Sequence, residues 1–406
     1  MHRKLAMLIW LAVAACPAAA ESSREADVSR LLETLDAVRR EHNVAAFALT
    51  LVNADAVLWT GARGIADRRT QRPATADTLF RIGSITKTFT ALALLMAEQQ
   101  GLLRLDDALL ALAPDAPLAN PWRNTQPVQL SHLLEHTAGL LDLTRAEFDH
   151  SDPKPLTLRD ALQLSPDARV AHWAPGLHSS YSNAGAGLAA YALEHVSGKR
   201  FEDYVESQLF APLAMSNAGF FLDAQTRQRL ATGYDTDGET VIPYWHMIFR
   251  PFGAINATPR EMAGFVQLLL NRGRIGKRRL LPAAAIARME TPRTTLAATA
   301  GLSYGYGLGN YQFVHNGFLF HGHGGDGDGY LAHLAYNRDS GMGYFLVINA
   351  FNGRALREMR SHVQDFMVRG LTPSPPPAAP GTAGSQLTGR YVPVTRRFPW
   401  QHAQAL

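Results

Sequence analysis

Ser84 and Lys87 are the two residues of this sequence whose types and spacing point most directly to chemistry. Residues three apart on a helix share one face, so their side chains can touch. A serine hydroxyl becomes a useful nucleophile when a neighbouring base takes its proton, and an amine with a lowered pKa can be that base. The apolar run 89–97 and the stop at Gly101 predict a buried helix with Ser84 in its first turn. Free backbone N–H groups in that turn would favour a developing oxyanion.

The scarcity of lysine bears on the role of this pair. The 39 Lys and Arg residues include only five lysines: Lys4, Lys87, Lys154, Lys199 and Lys277. Arginine stays protonated in a protein, whereas a desolvated lysine can lose its proton. On this segment alone an alternative is equally open, namely a surface lysine that extends from a core helix, because Ser-x-x-Lys spacings often arise by chance.

Tyr181 and Asn183 form a second candidate group, on a loop that leads into a small-residue helix. A phenol can relay protons when an ammonium lies nearby, and an amide can hold a substrate carbonyl. Taken alone, Tyr-x-Asn is common, and a helix N-cap at Ser182 or Asn183 is the alternative interpretation.

A third candidate group lies in the glycine-dense stretch 320–330, which we expect to open a strand. Glycine lets the backbone approach a ligand closely, so a residue here can offer its N–H to an oxyanion. His323, Gly325 and Asp326 are the candidate site residues in this stretch.

Composition indicates an ordinary globular protein. The chain has 406 residues, of which 47% are apolar, enough for one large domain or two medium ones. A net charge of +4 does not indicate binding to nucleic acid, and the basic cluster 272–279 is interpreted as a solvated turn. Beyond the N-terminus no apolar run approaches the ~20 residues of a membrane span, so none is predicted.

The first twenty residues are typical of an export signal. A basic start at 2–4 precedes the apolar stretch 5–15 and the small-residue site 18–20, which predicts cleavage after Ala20 and a periplasmic or secreted protein. A lipoprotein signal that anchors the chain through Cys16 is the alternative. We favour cleavage after Ala20 because Pro17 would be an unusual residue after a lipidated cysteine.

The order of the elements predicts an α+β fold. Helices are expected at 25–40 and 354–368, a mostly helical region at 106–263, and strands at 45–53, 56–64, 306–313, 330–337 and 342–350. We therefore expect one antiparallel sheet built from both ends of the chain, flanked by the terminal helices, beside a mainly helical lobe. Residues 21–371 would form this domain, 372–386 a Pro-rich linker, and 387–406 a short segment interpreted as the truncated start of another module.

Together the three groups resemble the serine β-lactamase and penicillin-binding-protein superfamily. Ser84-Ile-Thr-Lys87 matches its first motif, Tyr181-Ser-Asn183 the second motif of the class C-like branch, and His323-Gly-Gly325 the third. The segments 133–140, 212–215, 304–309 and 322–330 look like further family landmarks, so the resemblance covers roughly 28–368.

The resemblance implies acyl transfer with neither metal nor cofactor. Ser84 would be the nucleophile, and Lys87 with Tyr181 would take and return its proton. The backbone N–H groups of Ser84 and Asp326 would bind the oxyanion. Asn183 would orient the acyl amide, while His323 would line the opposite wall.

The third motif departs from the Lys-Thr-Gly of β-lactamases. His323 is mostly neutral at pH 7, and Gly324 has no hydroxyl, so a substrate carboxylate would be bound weakly. This motif is closer to the esterase and peptidase members. We therefore expect a small-molecule ester or amide, or a peptide, as substrate, and no efficient β-lactamase.

Two other classes of protein are alternatives. His321, His323, Asp326 and His333 superficially resemble a metallohydrolase cluster, but their spacing differs from H-x-H-x-D-H, so no metal site is predicted. A non-catalytic penicillin-binding or peptidoglycan-sensing protein on the same fold is the second alternative. The presence of Ser84, Lys87 and Tyr181 together argues against it.

Overall fold

The strands are defined in a computed structural model, which describes residues 17–152, 154–374 and 395–398. In chain order they are β1 (Ala46–Asn53), β2 (Val57–Asp67), β3 (Arg72–Pro73), β4 (Phe80–Arg81), β5 (Asp149–His150), β6 (His246–Met247), β7 (Asn256–Ala257), β8 (Arg274–Ile275), β9 (Arg278–Arg279), β10 (Tyr311–His315), β11 (Phe318–Gly327), β12 (Tyr330–Asn337) and β13 (Met342–Ile348). Seven of them form one sheet, in the order β10-β11-β12-β13-β1-β2-β3. All of its neighbouring strands are antiparallel.

The helices lie at both ends of the described chain and between the two groups of sheet strands. They are α1 (Pro17–Glu41), α2 (Thr86–Gln99), α3 (Leu109–Leu112), α4 (Leu130–Leu134), α5 (Leu158–Leu162), α6 (Asn183–Ser197), α7 (Phe201–Val205), α8 (Ala224–Arg229), α9 (Pro259–Leu270), α10 (Ala283–Glu290), α11 (Leu296–Thr299) and α12 (Gly353–Val368). A 3₁₀ turn, Gly83–Ile85, leads into α2. The mostly helical region predicted at 106–263 contains α3 to α8 and the start of α9.

The two ends of the chain meet in the middle of the sheet. Thr50 of β1 lies opposite Phe345 of β13 on one side and opposite Thr60 of β2 on the other. Helices α1 and α12 pack together over one face, where Leu35 and Met359 are fully buried. The prediction of a sheet built from both ends and flanked by the terminal helices is confirmed, as is the α+β fold class.

The other face of the sheet carries α9 and, beyond it, the helical lobe. Phe265 of α9 stacks on Phe89 of α2 with ring centroids 3.7 Å apart. The side chains of α2 from Thr86 to Ala97 are buried, as the apolar run predicted. One core cluster therefore joins the sheet to the helix that follows Ser84.

Three local predictions were wrong. Ser84 lies in the 3₁₀ turn before α2, not in the first α-helical turn, because the left-handed backbone of Gly83 (φ +54°) starts a tighter turn. The glycine-rich stretch is itself a strand, β11, since its small residues fit where the backbone of Ser84's turn presses against the sheet. The strand predicted at 306–313 begins only at Tyr311.

Parts of the predicted domain organisation lie outside the described residues. Cys16 and the basic and apolar parts of the signal belong there, as do residues 375–386 of the linker and all of 387–406 except 395–398. The boundaries at residues 20, 371 and 386 therefore stay predictions. Within the described ranges, no helix has the length and apolar character needed to span a membrane.

Buried histidines predict how stability depends on pH. His333 of β12 is buried, with Nδ1 2.8 Å from the Tyr344 hydroxyl and Nε2 3.3 Å from that of Tyr311. Burial, and then the charge of Arg360, hold the pKa of His333 well below its ordinary value. The unfolded state therefore binds more protons below about pH 6.5, and the free energy of unfolding falls as the pH drops.

Urea unfolding followed by circular dichroism between about pH 7.5 and pH 5.5 checks this expectation. The wild type should lose stability across that window, while His333→Gln should lose less for the same pH change, whatever its stability at the upper end. An equal pH dependence in both proteins would contradict the argument.

Candidate active site

Ser84 and Lys87 meet as the sequence predicted. Lys87 Nζ lies 2.9 Å from Ser84 Oγ and donates to the Phe252 carbonyl, also at 2.9 Å. The Lys87 side chain is buried under the core that surrounds α2. Burial lowers the pKa of Lys87 well below its ordinary 10.5, and nearby Arg397 adds to this, while Asp142 and Asp326 oppose it. The amine is thereby made available as a proton acceptor.

Tyr181 lies close to both members of this pair. Lys87 Nζ lies 5.0 Å from the centroid of its ring. Burial raises the pKa of the Tyr181 hydroxyl far above its ordinary value, and a hydrogen bond with Ser84 lowers it only in part. Tyr181 therefore keeps its proton at neutral pH, which suits a relay that accepts one proton while it passes on another.

Asn183 is the first residue of α6 and is held by a buried carboxylate. Its backbone N–H donates to Asp142 Oδ1 at 2.7 Å, and its side-chain Nδ2 donates to Asp142 Oδ2 at 3.1 Å. Its Oδ1 has no partner among the described residues and belongs to a residue that lines the cavity. Ser182 occupies the N-cap position, but its hydroxyl donates to Leu141 O instead of capping the helix.

Strand β11 brings its backbone against the turn that carries Ser84. A methyl group at Gly83 would lie 2.6 Å from Asp326 N, and one at Gly325 would overlap Ile82 O. No side chain fits at either position, so the two backbones touch. This contact places the N–H-bearing segments of Ser84 and Asp326 side by side. The side chain of Asp326 is exposed.

His323 forms the wall that faces Lys87. Its ring is buried, with Nε2 2.7 Å from the Tyr306 hydroxyl. Burial, and then the charge of Lys87, lower the pKa of His323 to about 3. The imidazole is therefore neutral, so the position that is a lysine in the Lys-Thr-Gly motif carries no cation here.

A cavity of about 510 Å³ opens over these residues. The predicted site residues that line it are Ser84, Tyr181, Asn183, His323 and Asp326. Lys87 contacts Ser84 without lining the cavity, and Gly325 packs against the backbone of Ile82. Two cations that the sequence analysis missed, Arg360 and Arg397, also line it. Arg360 belongs to α12, and Arg397 to the described C-terminal segment.

His136 and Asp142 were also missed as parts of the site. His136 has a left-handed backbone (φ +60°), and its ring lies 4.2 Å from that of Tyr181 and 4.6 Å from that of Tyr306. Its Nδ1 accepts the Ser182 N–H at 3.2 Å. The landmark segment 133–140 was a signal for His136, but no motif marked Asp142.

The histidines that superficially resembled a metal cluster do not converge. His321 stacks on Tyr336 with ring centroids 5.6 Å apart, and His333 lies on the opposite sheet face from His323. Among the described residues, no three His, Cys, Asp or Glu side chains come together in a way that could hold a metal ion.

A serine and a lysine in contact, a tyrosine and an asparagine at the start of α6 and the adjoining strand β11 form the arrangement that the three sequence motifs predict. Comparison with known proteins agrees. The family profile described as Beta-lactamase matches residues 28–367, so the chain belongs to that family.

The sequence identity to individual relatives is low. The chain is 31% identical over 204 residues to a Beta-lactamase of Yersinia enterocolitica, a match that spans 50% of each chain. It is 27% identical over 331 residues to Penicillin-binding protein 4 of Amycolatopsis lactamdurans, covering 78% of this chain and 84% of that one. The structure of the octameric penicillin-binding protein homologue from Pyrococcus abyssi superposes with a TM-score of 0.70 at 23% identity, covering 84% of this chain and 77% of that one. These comparisons confirm the resemblance and the fold.

Two adjacent glycines provide a test of the contact between strand and turn. Gly325→Ala should lower the melting temperature and slow the labelling of Ser84 by a fluorophosphonate, because overpacking costs about 1–3 kcal/mol and would move Asp326. Gly324→Ala is the matched control, since its methyl would meet nothing closer than the Tyr311 hydroxyl at 3.4 Å. Similar behaviour of the two variants would contradict the proposed arrangement.

Proposed function

We propose that this protein is an exported serine hydrolase that cleaves an ester, amide or peptide through an acyl-enzyme on Ser84. The observation that carries the proposal is the 2.9 Å contact between Ser84 Oγ and the buried Lys87 Nζ. A lysine in this environment can be neutral at working pH and can accept the serine proton. The signal-like residues 1–20 support export, with a lipid anchor at Cys16 as the alternative.

The reaction runs in two balanced halves. Ser84 Oγ attacks the substrate carbonyl while its proton passes to Lys87, directly or through Tyr181. The resulting oxyanion accepts hydrogen bonds from the backbone N–H groups of Ser84 and Asp326. The carbonyl re-forms, and the leaving alcohol or amine takes the proton. Water then attacks the acyl group, gives its proton to the same relay and releases the acid, and Ser84 recovers its own proton.

The third motif supports an esterase or peptidase over an efficient β-lactamase. His323 is neutral and bonded to Tyr306, and Gly324 adds no hydroxyl, so these two motif residues offer a substrate carboxylate neither a charge nor an O–H donor. The free Oδ1 of Asn183 is a candidate acceptor for an N–H on the acyl side. Uncharged esters and aminoacyl substrates suit these groups best.

Lys87→Arg tests the base. It should reduce kcat/KM by at least the roughly 10²–10⁴-fold contribution of general-base catalysis, because arginine keeps a charge but cannot take the proton. Hydrolysis of p-nitrophenyl esters measures this loss, circular dichroism checks the fold, and Ser84→Ala sets the background. Retained turnover in Lys87→Arg would remove lysine from the mechanism.

A substrate panel separates the hydrolase classes. The wild type should turn over p-nitrophenyl esters and D-amino-acid p-nitroanilides better than nitrocefin. Efficient nitrocefin hydrolysis would overturn the prediction drawn from His323. For the non-catalytic alternative, the expected pattern is labelling by fluorescent penicillin at Ser84 without turnover of any substrate in the panel.

A further inference from the structure

Residues Thr395–Phe398, the described C-terminal segment, lie against the loop before Tyr181, and Arg397 of this segment lines the active-site cavity. The Thr395 hydroxyl donates to Ser179 O at 2.9 Å, and the Ser180 hydroxyl donates to Arg396 O at 3.0 Å. These partners lie directly before Tyr181. The segment is therefore held by the loop that presents the tyrosine.

Arg397 contacts both Asp142 and Tyr181. Its carbonyl accepts the Asp142 N–H at 2.9 Å, and its Nε donates to Asp142 Oδ2 at 2.6 Å. Its guanidinium carbon lies 4.8 Å from the centroid of the Tyr181 ring. The side chain also lines the cavity that contains Ser84. Arg397 is thus an active-site residue that the C-terminal segment contributes.

Asp142 is a buried carboxylate that needs such a partner. Its side chain has no exposed surface. It accepts N–H groups from Leu143 and Asn183, which stabilise a negative charge without cancelling it. The charge of an unpaired carboxylate here would extend to Lys87, because little water screens it.

The groups around Lys87 differ in whether they favour or oppose its protonated form. Asp142 and Asp326 favour its protonated form, whereas Arg397 and burial oppose that form. His136 and His323 face the same amine, and both have pKa values depressed by burial and by Lys87, so they are neutral. Tyr181 keeps its proton. Arg397 is therefore the cation that offsets Asp142 in this environment.

We propose that Arg397 is a positioning residue of the active site, which neutralises the buried Asp142 carboxylate and so holds both Asn183 and the Ser84–Lys87 pair in their working state. The proposal rests on the serine-hydrolase function for its kinetic consequence, but not for its electrostatic one. Loss of the Arg397 charge should leave Asp142 free to favour the Lys87 ammonium. The pKa of Lys87 would then rise, and the acid limb of kcat/KM would move to higher pH.

Direct titration of Lys87 tests the electrostatic consequence without relying on activity. With only five lysines in the chain, ¹³Cε-lysine labelling gives a simple NMR spectrum in which Lys87→Arg assigns the signal. Arg397→Gln should titrate at higher pH than the wild type, and Arg397→Lys should stay close to it. The double variant Asp142→Asn with Arg397→Gln should move back toward the wild type.

Arg396→Gln is the matched control, because it removes the same charge from the same segment at a side chain that does not line the cavity. It should leave the Lys87 titration unchanged. A Lys87 titration in Arg397→Gln equal to that of Arg396→Gln would overturn the proposal.

The pH dependence of ester hydrolysis in the same variants adds the kinetic consequence. Arg397→Gln should lose kcat/KM on the acid limb and approach the wild-type value at high pH, a pattern that a general loss of folding would not give. A shifted Lys87 titration in a protein without Ser84-dependent turnover would support the role of Arg397 and contradict the proposed function instead.

Discussion

The desolvation of Lys87 beside Ser84 is the constraint on which the rest of this structure depends. An amine surrounded by the α2 core and bonded to the Phe252 carbonyl is poorly stabilised as a cation. Burial disfavours the protonated form of this amine, and for the same reason it would let the amine act as a base. Fold and chemistry are therefore linked at one side chain, and the neighbouring His323 and His136 are neutral because burial lowers their pKa values as well.

The sheet and the helical lobe cooperate to keep that amine in place. The turn with Gly83 fits against β11 only because neither Gly83 nor Gly325 carries a side chain. On the opposite side, a methyl at Gly309 would overlap Lys87 O, so a third glycine lets the chain before β10 pass close to α2. Backbone contacts therefore position the turn that carries the nucleophile.

Local sequence patterns predicted much of this arrangement. The rest depends on contacts between residues that are far apart in the chain. The Ser84–Lys87 spacing, the apolar run of α2 and the Tyr181-x-Asn183 motif each carry their information within a few residues, and the structure brings all of them together. Asp142 and Arg397 carry no such pattern. Their role depends on a contact between residues 255 positions apart in the chain, which periodicity and spacing cannot report.

Acyl-enzyme trapping tests the central claim, that Ser84 is a nucleophile activated by a neutral lysine. The protein would be mixed with a p-nitrophenyl ester, quenched in acid, and examined by intact-mass and peptide mass spectrometry. The account predicts one acyl group on Ser84, absent from Ser84→Ala and failing to accumulate in Lys87→Arg. Hydrolysis that proceeds with no adduct on Ser84, or with the acyl group on another residue, would contradict it.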